Sequence, residues 1–586
     1  MASDNQPSSL HQRKGQTQPE RAALKEEHVE AEIPSPRSPL RSLIRNSIIS
    51  LCLGYFAIRG YETFFPTTSE DLLGVPAYFQ TEPSFPAPVL TADVEKRDAI
   101  KEAFLHSWHA YERDAWGNDD YHPISRKGDN ISESGGIGYT IIDTLDTLLV
   151  MGLTEEYERA RDWVANSLTF DVDVEFNAFE LTIRLLGGLL SAHHLSPNPA
   201  DAALYLTHAK DLADRLLTTF ETPSGIPLSK VNLKKRKGLP DLDNRGAASL
   251  AEVGSMQLEM KYLSELTGDR IYWDKVERVM DVIRNEPSME GLYPILLSTE
   301  TGGFFASEIR LGSRGDSYYE YLIKQYLQTD GHEPVYRQMY DGAMQGIKHK
   351  LIYKTKASQL LYTAELGMVR DPKTGQQTWR VNPKQDHLVC FLGGSLLLGV
   401  TEARLSVPPN LNEFSQADME DWITGTELIK TCVETYNTKT GLAPEIAFFY
   451  NEQQPESAMQ DWYIKKSSAE RPLIDARNIL RPETVESLFL AFRLTGDPTY
   501  REHGWKIFQA FQEHCRIETG GYVSVLDVNQ VPVEHEDRME TFWLSETLKY
   551  LYLLFSDADV IPLRDNVFNT EAHILPVFKP TVKHDI

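Results

Sequence analysis

The chain has 586 residues, 41% hydrophobic, 25% charged and 10% aromatic, enough apolar content for a large folded core and incompatible with a mainly disordered or fibrous protein. Subtracting 85 acidic from 59 basic residues gives a formal charge of −26, which argues against a polyanion binder and for good solubility or for sites built from carboxylates. Four cysteines, Cys52, Cys390, Cys432 and Cys515, are too few for a disulfide framework and leave room for one bridge in an oxidising compartment.

Residues 1–41 are polar and rich in Gln, Glu, Ser and Pro and read as a disordered tail on the cytosolic side. Residues 46–58 are mostly apolar, preceded by Arg37, Arg41 and Arg45 and followed by Arg59. Extended to 42–65, the run reaches the roughly 20 residues of a membrane span by snorkelling its flanking charges. The arginine excess before it predicts a type II signal-anchor with the remainder luminal, the alternative being an apolar patch or an interfacial helix. Residues 66–93, with Pro76, Pro83, Pro86 and Pro88, read as a luminal stem.

From residue 94 to 586 the pattern is helical. Apolar residues recur at three- and four-residue spacing over 99–110, 139–151, 155–168, 174–195, 202–220, 248–266, 272–283, 318–327, 335–351, 386–399, 426–436, 483–494, 500–514 and 539–555. The joints repeat in kind. Leu266-Thr267-Gly268-Asp269 is matched by Leu494-Thr495-Gly496-Asp497, and glycine-containing loops recur at Gly225-Ile226-Pro227, Gly291-Leu292-Tyr293-Pro294, Gly441-Leu442-Ala443-Pro444 and Gly520-Gly521-Tyr522. Alternating short joints and long loops predict seven helical hairpins, and the length of the loops favours a closed ring over an open solenoid.

Several polar residues interrupt these apolar helices. Glu180 and Arg184 share one helical face at i,i+4, as a structural ion pair or as an oriented acid. Pro482 is suited to a first helical turn, which puts Glu483 at the helix start and Glu486 on the same side one turn later. Glu483 is either a favourable first-turn charge or a base that activates water. Asp316 follows Arg314 in a glycine-containing loop before a helix, as a cap or as part of a ligand site. Glu540 and Glu546 flank Phe542-Trp543, an aromatic pair suited to a core or to stacking on a sugar. There is no zinc-spaced His/Cys cluster and no calcium loop of the helix-loop-helix kind, although the carboxylates permit a hard cation. The glycine-rich stretch 132–138 lacks the phosphate-loop ending, and the one basic run, 230–237, is too short to make an acidic chain a nucleic-acid binder.

Six motifs carry a resemblance to a known family: Gly138 through Thr147, Phe179-Glu180 through Arg184, Arg314 through Tyr321, Asp386-His387-Leu388-Val389-Cys390-Phe391, Arg481-Pro482-Glu483-Thr484-Val485-Glu486, and Phe568-Asn569-Thr570-Glu571-Ala572-His573. Over about residues 98–576 the chain resembles the class I alpha-1,2-mannosidases, glycoside hydrolase family 47, and among them the fungal endoplasmic-reticulum type. The resemblance implies an all-α (αα)7 barrel plugged by a C-terminal β-hairpin, with Ca2+ deep inside, and an inverting hydrolysis of high-mannose N-glycans on glycoproteins. It implies Glu180 as the acid, Glu483 as the base and Asp316 as a third catalytic carboxylate, with the division of labour between Asp316 and Glu483 left open. It implies Thr570 as the direct calcium ligand, with Glu486, Glu546 and Glu571 acting through water or touching the sugar. Phe542 is implied beneath the terminal mannose, with Arg184, His387 and Arg481 as its polar contacts and Arg314 as a residue that favours one branch. It also implies a Cys390–Cys432 disulfide. Asn130-Ile131-Ser132 is an acceptor sequence for N-glycosylation in the luminal region. Broader trimming of the Golgi kind, mannose recognition in quality control without hydrolysis, and assistance by an oxidoreductase are alternatives that these residues leave open.

Overall fold

A computed structural model describes residues 90–582 apart from 132–134, 371, 374, 376, 452–453 and 467–473. The expected tail, anchor and most of the stem lie outside the described residues, and among the described residues no helix is long and apolar enough to cross a membrane.

Among the described residues, short 3-10 turns aside, fourteen helices follow one another: α1 Val94–Ala115, α2 Tyr139–Val150, α3 Thr154–Asn166, α4 (Ala178–Glu180, Leu181–Leu186 and Gly187–Leu195 in continuity), α5 Pro199–Leu216, α6 (Leu250–Gly254 and Gln257–Thr267), α7 Ile271–Asn285, α8 Asp316–Gln328, α9 Pro334–Lys350, α10 (His387–Cys390 and Phe391–Thr401), α11 Gln416–Glu434, α12 Glu483–Thr495, α13 Pro498–His514, and α14 (Trp543–Thr547 and Leu548–Leu554). The even-numbered helices pack side by side in the order α2, α4, α6, α8, α10, α12, α14 and back to α2, so the ring closes. The odd-numbered helices form an outer layer.

The two layers differ in sequence as their burial requires. In outer α7, Tyr272, Trp273, Val276, Val279, Met280 and Ile283 are buried at three- and four-residue spacing and the other faces meet solvent. Each such side chain contributes about 1.5–3 kcal/mol of burial. Inner α2 is buried on every side from Tyr139 to Leu148, with Asp143 and Asp146 included. The predicted repeated joints are helix terminators: Gly268 (φ +70°) and Gly496 (φ +72°) take the left-handed conformation and donate to Ser264 and Phe492 carbonyls.

Several boundaries differ from the periodicity. The predicted 174–195 helix is a strand at Glu175–Asn177 before the helix begins at Ala178, where the Asn177 side chain accepts the Glu180 N–H. The predicted 426–436 helix starts ten residues earlier at Gln416, behind a Ser415–Asp418 capping box. The predicted 248–266 helix is interrupted between Gly254 and Gln257. The long connections into the inner helices carry short antiparallel strands, including the pair Glu365–Arg370 and Gln377–Asn382. A final hairpin, Asn566–Phe568 paired with Ile574–Pro576, packs against α4, α6 and α8. The expected (αα)7 ring with a C-terminal hairpin is therefore present.

Candidate active site

The inner helices begin where the chemistry-bearing side chains lie. Glu180, Asp316, His387, Glu483 and Phe542 all sit within the first few residues of α4, α8, α10, α12 and α14 or immediately before them. In two of these helices the wall is π-helical, at Leu181–Leu186 and Trp543–Thr547. The widened turns carry Arg184 and Glu546, a common device for presenting side chains at functional sites.

Arg184 organises one side. Its Nε donates to Glu180 Oε2 at 2.8 Å, its Nη1 to Thr541 Oγ1 at 3.0 Å and Glu571 Oε2 at 2.9 Å, and its Nη2 lies 2.8 Å from Glu571 Oε1. The predicted i,i+4 pair is thus real and part of a larger network. The Arg184 and Arg481 guanidiniums stand 5.8 and 5.7 Å from the Phe542 ring centre. Trp543 turns the other way into the core, donating from its indole to Ser107 Oγ, so the predicted aromatic pair divides between site and core.

Glu483 organises a second cluster, with His387 and Arg481. His387 Nδ1 is 2.8 Å from its Oε2 and Arg481 Nη1 is 3.7 Å from its Oε1. Burial alone would raise the Glu483 pKa, but the His387 hydrogen bond and the Arg481 charge outweigh it and hold the carboxylate below its ordinary value. His387 is held in turn by Tyr436 Oη and Thr484 Oγ1, each 3.1 Å from Nε2. Asp316 behaves oppositely: burial, reinforced by the charges of Glu320, Glu483 and Asp386 and partly offset by the Ser317 N–H, pushes it up to about 7. It opens α8 without capping it, since Gly315 occupies the cap position.

Deeper in, acidic groups accumulate. Glu486 and Glu571 are each pushed up to about 8, mainly by burial and then by neighbouring carboxylates, against the charges of Lys324 and Arg184 respectively. Glu546 lies well above its ordinary value because it is buried against Glu571. Thr570, at the turn of the C-terminal hairpin, donates its N–H to Tyr321 Oη at 3.3 Å. Among the described residues, its hydroxyl and carbonyl oxygens have no hydrogen-bond partner. No three His, Cys, Asp or Glu side chains among the described residues converge as a direct metal cage. Buried carboxylates forced toward neutrality beside two free threonine oxygens are a donor set suited to a hard cation.

Arg314 stands apart from this network, with Nη1 donating to Asn244 Oδ1 at 2.6 Å. Asn130 Oδ1 accepts from Asn118 Nδ2 and the Asp119 N–H, each at 3.1 Å. The Cys390–Cys432 disulfide is formed, across a sequence separation of 42, while Cys515 is buried and free.

Sequence reasoning gave no role to the groups that lock the hairpin turn. His573 bridges Asp143 (3.1 Å) and Asp146 (3.1 Å), and Lys549 Nζ lies 2.8 Å from Asp146, all fully buried. The signal was available in α2, where Asp143 and Asp146 lie one turn apart in an apolar run without a local basic partner. Glu445, which accepts the Arg481 fork at 2.6–2.9 Å, lies in a loop and left no periodic trace.

The sequence profile of glycosyl hydrolase family 47 matches residues 103–577. A mannosyl-oligosaccharide 1,2-alpha-mannosidase of Candida albicans is 45% identical over 491 residues, covering 82% of this chain and 83% of that protein. An endoplasmic reticulum mannosyl-oligosaccharide 1,2-alpha-mannosidase of Schizosaccharomyces pombe is 42% identical over 518 residues, covering 86% and 94%. Among solved structures, an alpha-1,2-mannosidase from Trichoderma reesei superposes with a TM-score of 0.71 at 28% identity, covering 83% of this chain and all of that one. With a closed ring of seven helical hairpins and the carboxylates gathered at the starts of its inner helices, the chain belongs to glycosyl hydrolase family 47.

Proposed function

We propose that the protein is a calcium-dependent, inverting exo-alpha-1,2-mannosidase that trims high-mannose N-glycans, removing chiefly one mannose from the nine-mannose glycan. The observation that carries the reading is the opposed poise of two carboxylates in one site. Glu483 is held ionised between His387 and Arg481, while Asp316 retains a proton up to about pH 7. Separated acid and base environments are what single-displacement glycoside hydrolysis requires.

In this reading Glu483 takes a proton from the water that attacks the anomeric carbon. His387 holds its carboxylate oriented. The proton for the departing glycosidic oxygen comes, directly or through water, from Glu180, fixed by Arg184, or from Asp316, the carboxyl that holds a proton up to about pH 7. One C–O bond breaks, one forms to the water oxygen, and the released mannose has the opposite anomeric configuration. Phe542 supplies an apolar floor for the sugar ring, with Arg184, His387, Arg481, Glu546 and Glu571 placed to meet its hydroxyls.

Thr570, through its hydroxyl and carbonyl oxygens, would hold calcium directly, and Glu486, Glu546 and Glu571 through water. The ion supplies positive charge that binds sugar hydroxyls and favours deprotonation of water. The disulfide fits a luminal, oxidising compartment, and we place the enzyme in the endoplasmic-reticulum membrane as a type II protein, anchored by residues 42–65, with Asn130 as a glycan acceptor.

Glu483→Gln tests the assignment. The isosteric amide cannot accept the proton, so kcat should fall by about 10³-fold or more, while circular dichroism and melting temperature stay near wild type. A folded Glu483→Gln enzyme with wild-type turnover would remove Glu483 from the role of base.

A further inference from the structure

The loop between the short strand Lys237–Leu239 and the strand Ala247–Ser249 has no counterpart in the network around Glu483 and Arg184. It nonetheless meets Arg314, which lies two residues before Asp316 in the chain. Arg314 precedes α8 by two positions and adopts a left-handed backbone (φ +75°), unusual for a side chain larger than glycine. Its carbonyl accepts the Ala251 N–H at 2.9 Å, fixing the backbone. Its guanidinium forms no ion pair among the described residues, and Asn244 Oδ1 is its one hydrogen-bond acceptor there, at 2.6 Å.

Asn244 is itself oriented. Its Nδ2 donates to Asp241 Oδ2, so its oxygen is the atom turned toward Arg314. Asp241 also accepts the Asp243 N–H at 3.1 Å and lies 3.5 Å from Lys230 Nζ. The Asp241 carbonyl accepts the Gly246 N–H at 2.7 Å, closing the loop on itself. A chain of contacts therefore runs Lys230, Asp241, Asn244, Arg314. A neutral acceptor holds the guanidinium in place while leaving most of its five donors unspent. A carboxylate in the same position would pair with it bidentately and consume its fork.

We infer that Asn244 is a positioning residue for glycan selectivity: it holds Arg314 so that its free donors meet hydroxyls of the oligosaccharide beyond the bond being cleaved. This rests on the mannosidase reading and on Arg314 touching glycan. A bond to a charged donor, once lost, corresponds to about tenfold or more in the populations that it separates.

The test compares wild type, Asn244→Ala, Asn244→Asp and Arg314→Ala on two substrates, the nine-mannose glycan with its eight-mannose product isomers resolved, and α-1,2-linked mannobiose. Asn244→Ala should reduce the preference for the leading isomer by about five- to tenfold and leave kcat/KM on mannobiose within about twofold. Asn244→Asp holds the guanidinium but, pairing with it bidentately, consumes its fork, so it should lower the preference as well while the melting temperature stays near wild type, which separates spent donors from a loosened fold. Selectivity unchanged in Asn244→Ala but lost in Arg314→Ala would overturn the role of Asn244 alone. Selectivity unchanged in both would overturn the Arg314 contact with it, and absence of mannose release by wild type would instead overturn the enzymatic reading.

Discussion

Calcium binding should displace protons, and the number can be worked out from the site. Glu486 and Glu571 are each pushed up to about 8. At pH 7 each is about 90% protonated, so a cation that requires both ionised releases about 1.8 protons from this pair at pH 7, about 1 at pH 8 and about 0.2 at pH 9. The sign follows from raised acid pKa values: protons and calcium compete, so apparent affinity falls as pH falls. Between pH 7 and 8 the mean release of about 1.4 protons corresponds to about 25-fold tighter binding. Isothermal titration calorimetry with calcium, at one pH in two buffers of different ionisation enthalpy, counts the protons directly. Glu571→Gln should lower the release at pH 7 without abolishing it, since Glu486 and Glu546 still give up protons. A release near zero at pH 7, or one that does not change from pH 7 to 9, would refute the argument that buried carboxylates are kept for the cation.

Other consequences follow from the same geometry. Replacing Cys390 and Cys432 by Ser removes a cross-link of separation 42, which the chain-entropy relation values at about 4 kcal/mol. In a domain of roughly 500 residues this lowers the melting temperature by about 4 °C. Because Cys390 ends the turn that carries His387, turnover should fall as well, and an unchanged melting curve would contradict the estimate. Lys549→Met leaves Asp146 with one cationic partner fewer in a fully buried cluster and should cost about 3–5 kcal/mol in urea denaturation. His573, raised to about 9 by Asp146 and Asp143 despite burial, stabilises fully below its ordinary value near 6.5 and loses that contribution as pH rises through about 9. Stability that rises between pH 8 and 10 would contradict the buried His573 cation.

The fold was legible where burial alone shapes a helix. Outer α7 declares itself by apolar spacing, and the Gly268 and Gly496 joints declare their helix ends because few other residues adopt that backbone cheaply. The start of α4 was not legible, because Glu175–Asn177 pairs with Lys230–Asn232 more than fifty residues later, and a three-residue strand has no periodicity of its own. Ring closure was favoured by loop length and fixed by packing of α14 on α2. Within the site, Glu180 with Arg184, and Glu483 with Glu486, showed through helical spacing. The contacts that set their chemistry join distant segments, Glu483 to His387 and Arg184 to Glu571, and no spacing rule encodes them. Motif resemblance supplied these partners as a set, and the structure brings them together. Asn244 had neither spacing nor motif.

The most direct test of the central claim follows the released sugar by proton NMR as the protein acts on nine-mannose glycan, with calcium or with excess chelator. The account predicts β-mannose as the first-formed anomer, one leading eight-mannose isomer, and loss of release on chelation that calcium restores. First-formed α-mannose, or release indifferent to chelation, would contradict it; intact glycan bound by folded, calcium-loaded protein would make this a lectin rather than a hydrolase.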